Sequence, residues 1–403
     1  MKEKIIELYL KYKKILRDLM YTVGAQLLMN GVLQIIIYPI MNQTIGKYEF
    51  GNVITYMGFV YIIGDAIGSG ICNNRLALKK SIESRNGDYN HLLKIFLPLG
   101  FIAGGLLIHL YFQGIGVLIY SLIVLFTTIR YYGQVQFRLK LDFQKNFVYF
   151  AILTAGYGIG TIAFLITKSW YCIFLAGEVL AVLYLILTTD LFKGKEKSQN
   201  YHKVFHSTSL LIFSYLITDV LVNLYRFVIN YYCGPEAVST YYVFSMIGKT
   251  LIMFTAPINN IILSYMAADK SQFNKSNFTT IVKIVLIVSV LCMIACVIAT
   301  PIYITLLYPN IDAMNWILNI VVNAAQIFNF GAGLIITLIL ATLGAKYHLF
   351  LQMVYGIIFM VTALLFTKYF GIMGFGFAAC ISNLFRLVEM LIVGYKKLPD
   401  SMD

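Results

Sequence analysis

The stretch S-T-S-L-L-I-F-S-Y-L-I-T-D-V-L-V-N-L-Y-R-F-V-I-N-Y-Y, Ser207–Tyr232, decides the class of this protein. It is longer than the roughly 20 apolar residues a helix needs to cross a bilayer. Its polar residues are ordered. Asn223, Arg226 and Asn230 follow Asp219 by four, seven and eleven positions, which at about 100° per residue places all four within an arc of about 60°. With a rise of about 1.5 Å per residue they extend over roughly 16 Å of a core about 30 Å thick. Polar groups in hydrocarbon are costly and face a bundle interior or a wet passage. The stripe therefore reads either as the lining of such a passage or as a buried network in which Asp219 neutralises Arg226.

Eleven further apolar segments accompany this one, at about 20–41, 51–71, 92–112, 115–137, 147–167, 170–192, 236–266, 279–307, 315–342, 348–369 and 371–395. The last two are separated only by Lys368 and Gly371. Composition agrees: 60% of the 403 residues are hydrophobic and 12% charged, against about 45–50% and about 25% in soluble domains. A soluble enzyme, a disordered chain and a disulfide scaffold are excluded. Six cysteines are scattered without a C-x-x-C pair, so neither disulfides nor a metal is inferred. The N-terminal charged stretch runs into an apolar segment without a small-residue cleavage pattern, unlike a cleaved signal peptide. The expected fold is all-α: a polytopic membrane protein of about twelve transmembrane helices in two six-helix bundles, residues 1–200 and 201–403. The polar connector Lys193–His206 separates them.

The net charge of +13 is not a nucleic-acid signal, because the bases sit in short loops. Cytoplasmic loops carry the excess of lysine and arginine. With the N-terminus inside, twenty-two bases fall in inside loops and tails, from Lys2 to Lys397, and only Lys47, Lys168 and Lys368 fall outside. An even number of spans with both termini cytoplasmic follows. The outside loops are too short for the large extracellular domain on which membrane-bound glycan polymerases do their chemistry.

Other spans carry polar faces too. Asn315, Asn319, Asn323, Gln326 and Asn329 keep within about 120° on the tenth segment. Amides suit sugar hydroxyls, having both donors and acceptors, and equally suit helix–helix attachment. The first segment has Thr22, Gln26, Asn30 and Gln34 at strict four-residue spacing. Lys249 lies near mid-depth of the eighth, with Ser245 and Asn260 roughly on its face; Gly248-Lys249-Thr250 lacks the leading glycine and the strand of a phosphate loop. Arg130 is either a passage cation or a snorkelling one. Arg386 and Glu389 are spaced to pair with each other, and Asp65, Glu178 and His109 read as structural partners. Gly64/Gly68 and Gly156/Gly160 are small-residue pairs that let helices approach. Tyr131/Tyr132, Tyr231/Tyr232 and Tyr241/Tyr242 fall near span ends, as an aromatic belt would.

Several motifs carry a family resemblance. Y-P-I-M-N-Q-T-I-G-K-Y-E-F-G (Tyr38–Gly51), G-S-G-I-C-N-N-R-L-A (Gly68–Ala77), Y-R-F-V-I-N-Y-Y-C-G (Tyr225–Gly234) followed by Glu236-Ala237-Val238, and K-Y-F-G-I-M-G (Lys368–Gly374) resemble the polysaccharide-repeat-unit flippases of the Wzx type. These belong to the multidrug/oligosaccharidyl-lipid/polysaccharide exporter superfamily. One departure stands out: the acidic residue common before the seventh-helix arginine is Tyr225 here. The resemblance implies a bacterial cytoplasmic-membrane transporter, not an enzyme. It implies flipping of polyprenyl-diphosphate-linked glycan, with membrane lipid, for capsule, O-antigen or a related surface polysaccharide. Its implied partners include the polysaccharide polymerase and chain-length machinery. No cofactor is implied beyond a coupling proton or sodium ion. The residues expected along the passage are Arg226, Lys249 and Arg130 for the diphosphate, with Asp219, Asn223, Asn230, Asn319, Asn323, Gln326, Gln26 and Asn30 for the glycan. Three alternatives stay open: an ion-coupled multidrug exporter of the same superfamily, a membrane-embedded glycan polymerase or ligase, and a lipid II flippase, whose resemblance implies fourteen helices.

Overall fold

A computed structural model describes residues 17–18, 20–79, 83–110, 114–255, 259, 274–311, 315–343 and 345–398. Among these residues there are twelve helices. They are α1 (20–45), α2 (47–78), α3 (Asn86–His109), α4 (Ile115–Lys140), α5 (Phe143–Thr167), α6 (Tyr171–Thr188), α7 (Tyr201–Cys233), α8 (Pro235–Ile252), α9 (Lys275–Leu307), α10 (Trp316–Leu343), α11 (345–370) and α12 (372–397). A non-helical residue, Gly46 (φ 81°), separates α1 from α2, and Gly371 (φ 60°) separates α11 from α12. Gly234 (φ 83°) separates α7 from α8 in the same way. Each needs a backbone conformation that a side chain would strain. Within α1, the π-helical stretch Val32–Ile37 precedes Pro39, which has no N–H to continue the ladder.

The chain packs as two compact units. One comprises residues up to Ile45 together with Thr55–Asn223, the other Gly46–Ile54 together with Leu224 onward. This packing boundary runs through α7, whereas the division at residue 200 separates six helices from six. The connector is also less of a linker than its polarity suggests. Helix α7 begins within it, at Tyr201. The rest is tied to the start of α3: Asp88 accepts from Ser198 N at 2.7 Å, and Asn90 donates to Phe192 O and Gly194 O at 3.0 Å. The backbones meet so closely that a Cβ on Gly87 would lie 1.9 Å from Glu196 O.

Both small-residue pairs work as expected in the first unit. A Cβ on Gly156 would fall 2.7 Å from Gly177 Cα, and one on Gly160 2.5 Å from Cys172 O, so α5 and α6 touch backbone to backbone. A Cβ on Gly68 would fall 2.5 Å from Thr128 O, joining α2 to α4. In the second unit, Phe278, Ile335, Ile339, Leu351 and Met390 form a core between α9, α10, α11 and α12. Gly51 meets the first turn of α8, where its Cβ would lie 1.8 Å from Pro235 O. Lys47 and Glu236 pair at 3.6 Å beside it.

Candidate functional site

Three residues of the second unit form its most unusual cluster: Tyr225 and Arg226 on α7, and Lys249 on α8. The Nζ of Lys249 lies 3.7 Å from the centre of the Tyr225 ring, 5.2 Å from that of Tyr242 and 6.0 Å from that of Tyr241. It is buried and has no hydrogen-bond partner among the described residues. Arg226 donates from Nε to the Tyr225 hydroxyl at 3.0 Å and from Nη1 to Ile54 O at 2.8 Å. Its guanidinium carbon is 5.4 Å from the centre of the same ring. Two of the expected cations thus meet at one tyrosine. Arg226 is also the charged group that acts on Lys249. A cation on an aromatic face gains about 2 kcal/mol when desolvated.

Helix geometry builds this cluster. Gly248 lets α8 lie against α10, because a Cβ there would be 2.7 Å from Gln326 Cβ and 3.1 Å from Asn323 Oδ1. The tyrosines at 241 and 242 do not serve an aromatic belt, being only 2% and 5% exposed. Tyr132 is likewise buried and bonds Arg75 at 2.7 Å, whereas Tyr231, 82% exposed, suits the belt. A chain of ring contacts follows, Tyr241 to Phe375 at 5.1 Å, Phe375 to Phe359 at 5.9 Å and Phe359 to Tyr355 at 5.7 Å. Arg386 stacks on Tyr355 at 4.5 Å and donates to Asn329 Oδ1 and Gln352 Oε1, both at 2.9 Å. Its expected partner Glu389 is not bonded to it: Arg386 Nε and Glu389 Oε2 are each buried without a hydrogen-bond partner. Neutral amides on α10 and α11 reach the guanidinium in its place.

The amides of α10 divide by depth. Asn315 caps the helix, accepting from Leu318 N at 3.0 Å. Asn319 and Asn323 are wholly buried and attach α10 to α9, through Val297 O at 3.0 Å and the Thr300 hydroxyl at 3.2 Å. Gln326 and Asn329 are half-buried. On α7 the carbonyl of half-buried Asn230 accepts from Gly234 N at 3.0 Å. Asn260, expected near Lys249, lies outside the described residues.

The first unit collects acids. Arg130 is bound through Nε to both oxygens of Glu178, at 2.9 and 2.8 Å, with the two side chains 3% and 2% exposed. Tyr157 donates to Glu178 at 3.2 Å, and Tyr149 to Arg130 O at 3.2 Å. Arg130 was expected as a third passage cation; its charge is matched here by a carboxylate. Asp219 has Asp65 as its charged neighbour and a buried Oδ2 without a hydrogen-bond partner. Its carbonyl accepts from Asn223 at 2.9 Å. Asp65 accepts from Ser69 one turn on, and Asn73, a further turn on, donates to Tyr215 at 2.7 Å. This α2 stripe escaped sequence reading, although its four-residue spacing was the available signal. On α1, Asn30 donates to Gln26 O at 3.0 Å, and Gln26 itself is exposed.

No family model and no curated protein sequence matches the chain. Solved structures do. The lipid II flippase MurJ, in an inward closed conformation, is similar at a TM-score of 0.73 and 12% identity, over 94% of this chain and 87% of that one. An inward-facing multidrug resistance MATE family transporter of the MOP superfamily gives 0.65 and 12%, over 92% and 94%. A MOP superfamily transporter from Pyrococcus furiosus, described as having a binding pocket of reversed polarity, gives 0.61 and 11%, over 95% and 94%. The chain therefore has the twelve-helix fold of MOP superfamily transporters.

Proposed function

We propose that this protein is a bacterial cytoplasmic-membrane transporter that flips an undecaprenyl-diphosphate-linked oligosaccharide from the cytoplasmic to the outer leaflet. The product serves a surface polysaccharide such as capsule or O-antigen. The observation that carries this reading is the meeting of Lys249 and Arg226 at Tyr225, with the lysine ammonium buried and bonded to no acceptor among the described residues. Two cations in a low-dielectric setting suit a diphosphate. Arginine takes phosphate oxygens bidentately, and lysine acts as a point charge. The glycan passes along the half-buried amides Gln326 and Asn230, with Asn223, Asn30 and Gln26, and the polyprenyl tail stays in lipid. The shared fold with a lipid II flippase supports the same class of cargo. No covalent step is required. Alternating access comes from the two helix bundles, 1–200 and 201–403, moving about the site. Both termini are cytoplasmic.

A specific observation favours a second reading. Asp65 and Asp219 are the kind of paired acids that an ion-coupled exporter of cationic compounds uses, and MATE transporters share the fold. Reconstituted protein decides between them. Proteoliposomes carrying a fluorescent polyprenyl-diphosphate oligosaccharide should show protein-dependent transfer between leaflets, while cationic dyes should not be moved. Ion-driven dye export without lipid transfer would replace the flippase with the exporter.

A further inference from the structure

We propose that Tyr225 sets the headgroup preference of the Lys249–Arg226 site, holding two cations together while neutralising neither, so that the site takes two linked phosphates in preference to one. This rests on the transport reading above. Tyr225 is 5% exposed, and both cations lean on it in different ways. Arg226 spends one donor on its hydroxyl at 3.0 Å. Lys249 lies on its face at 3.7 Å, a contact that uses no hydrogen-bond acceptor. The ammonium therefore retains its donors, and the flexible four-carbon stem lets it swing from the ring to a phosphate oxygen. A phenol is neutral at physiological pH. A carboxylate at the same position would bond both cations and offset one of the two positive charges on which a dianion depends. The two cationic heads are no further apart than the sum of their distances to one ring centre. That arrangement lets two linked phosphates engage both cations, where a single phosphate engages one fully.

The test measures binding of farnesyl diphosphate, farnesyl phosphate and palmitate to purified full-length protein in detergent micelles. Thermal unfolding and gel filtration check the fold of each variant. Glutamine and glutamate have nearly the same shape, so Tyr225→Gln against Tyr225→Glu isolates the charge. Glutamate should bind farnesyl diphosphate at least tenfold more weakly than glutamine. Lys249→Met should abolish the preference for diphosphate over monophosphate. That measurement holds even where Tyr225→Glu does not fold. Equal binding by Tyr225→Gln and Tyr225→Glu, or an unchanged preference in Lys249→Met, overturns the role of Tyr225 and leaves the flippase reading intact. Wild type that binds palmitate but neither phosphate removes the diphosphate cargo and overturns the headgroup preference proposed for Tyr225.

Discussion

Arg130 on α4 and Glu178 on α6 form an ion pair from which solvent is excluded, the single Nε of Arg130 shared between the two carboxylate oxygens at 2.8 and 2.9 Å. The pair sits beside the backbone contact of α5 and α6, so its loss would strand a charge in the middle of the first unit. Removing one partner of a buried pair costs about 3–5 kcal/mol, whereas replacing both with apolar residues is often neutral. Glu178→Gln and Arg130→Met should each lower the thermal midpoint of the detergent-solubilised protein markedly. The double change Arg130→Met with Glu178→Leu should recover most of the loss. Transport should follow stability in this series. A single variant with full stability and no transport would return Arg130 to the substrate's path.

The α5–α6 contact makes a sharper stability prediction. At Gly160 a Cβ would meet Cys172 O at 2.5 Å and Ile173 Cα at 2.6 Å, both backbone atoms that no rotamer change can move away. Gly160→Leu must push the helices apart, at a cost of about 1–3 kcal/mol or more. Gly158, two residues earlier, has nothing within 4 Å of its Cβ position. Gly158→Ala should be neutral within about 0.5 kcal/mol. Thermal unfolding of the two variants side by side checks the contrast.

These contrasts indicate what the sequence makes readable. Helix number and small-residue contacts depend on local pattern, and Gly371, Gly156 and Gly160 were legible for that reason. Polar stripes were legible as faces but not as partners. A stripe states which way Asn319 and Asn323 point, not that α9 waits there with a carbonyl and a hydroxyl. Glu178 was visible as a lone acid in a span and Arg130 as a lone base, forty-eight residues apart. Nothing local joins them. Tyr225 was noticed only as a missing acid. Its contact with Lys249 needs the turn at Gly234 to fold α8 back alongside α7, and periodicity carries no information about such a fold-back.

Orientation gives a prediction independent of any side-chain contact. The excess of lysine and arginine in alternate loops places the connector around residue 200 and the C-terminus in the cytoplasm. Reporter fusions at residues 200 and 403 should both read as cytoplasmic. An extracellular signal at either position would break the even count of spans and with it the six-and-six arrangement proposed for alternating access.

Arg226 separates substrate binding from internal neutralisation. From spacing alone, Asp219 was its natural counter-charge on the same helix face. The bonds described here are to Tyr225 and Ile54 O, and the charged neighbour of Asp219 is Asp65. If Arg226 holds phosphate, Arg226→Ala should leave a folded, inserted protein that has lost lipid-linked glycan transfer by about two orders of magnitude, the equivalent of about 2.7 kcal/mol. Arg226→Lys, which keeps the charge without the bidentate fork, should retain part of the activity. Adding Asp219→Ala should then restore nothing. If instead Arg226 serves to balance Asp219, the single change leaves a buried carboxylate unpaired and lowers stability. The double change would then recover expression and transport together. Leaflet-transfer assays on Arg226→Ala, Arg226→Lys and the double variant, each with a thermal unfolding curve, decide the matter. Wild-type transport by the double variant would remove Arg226 from the phosphate site.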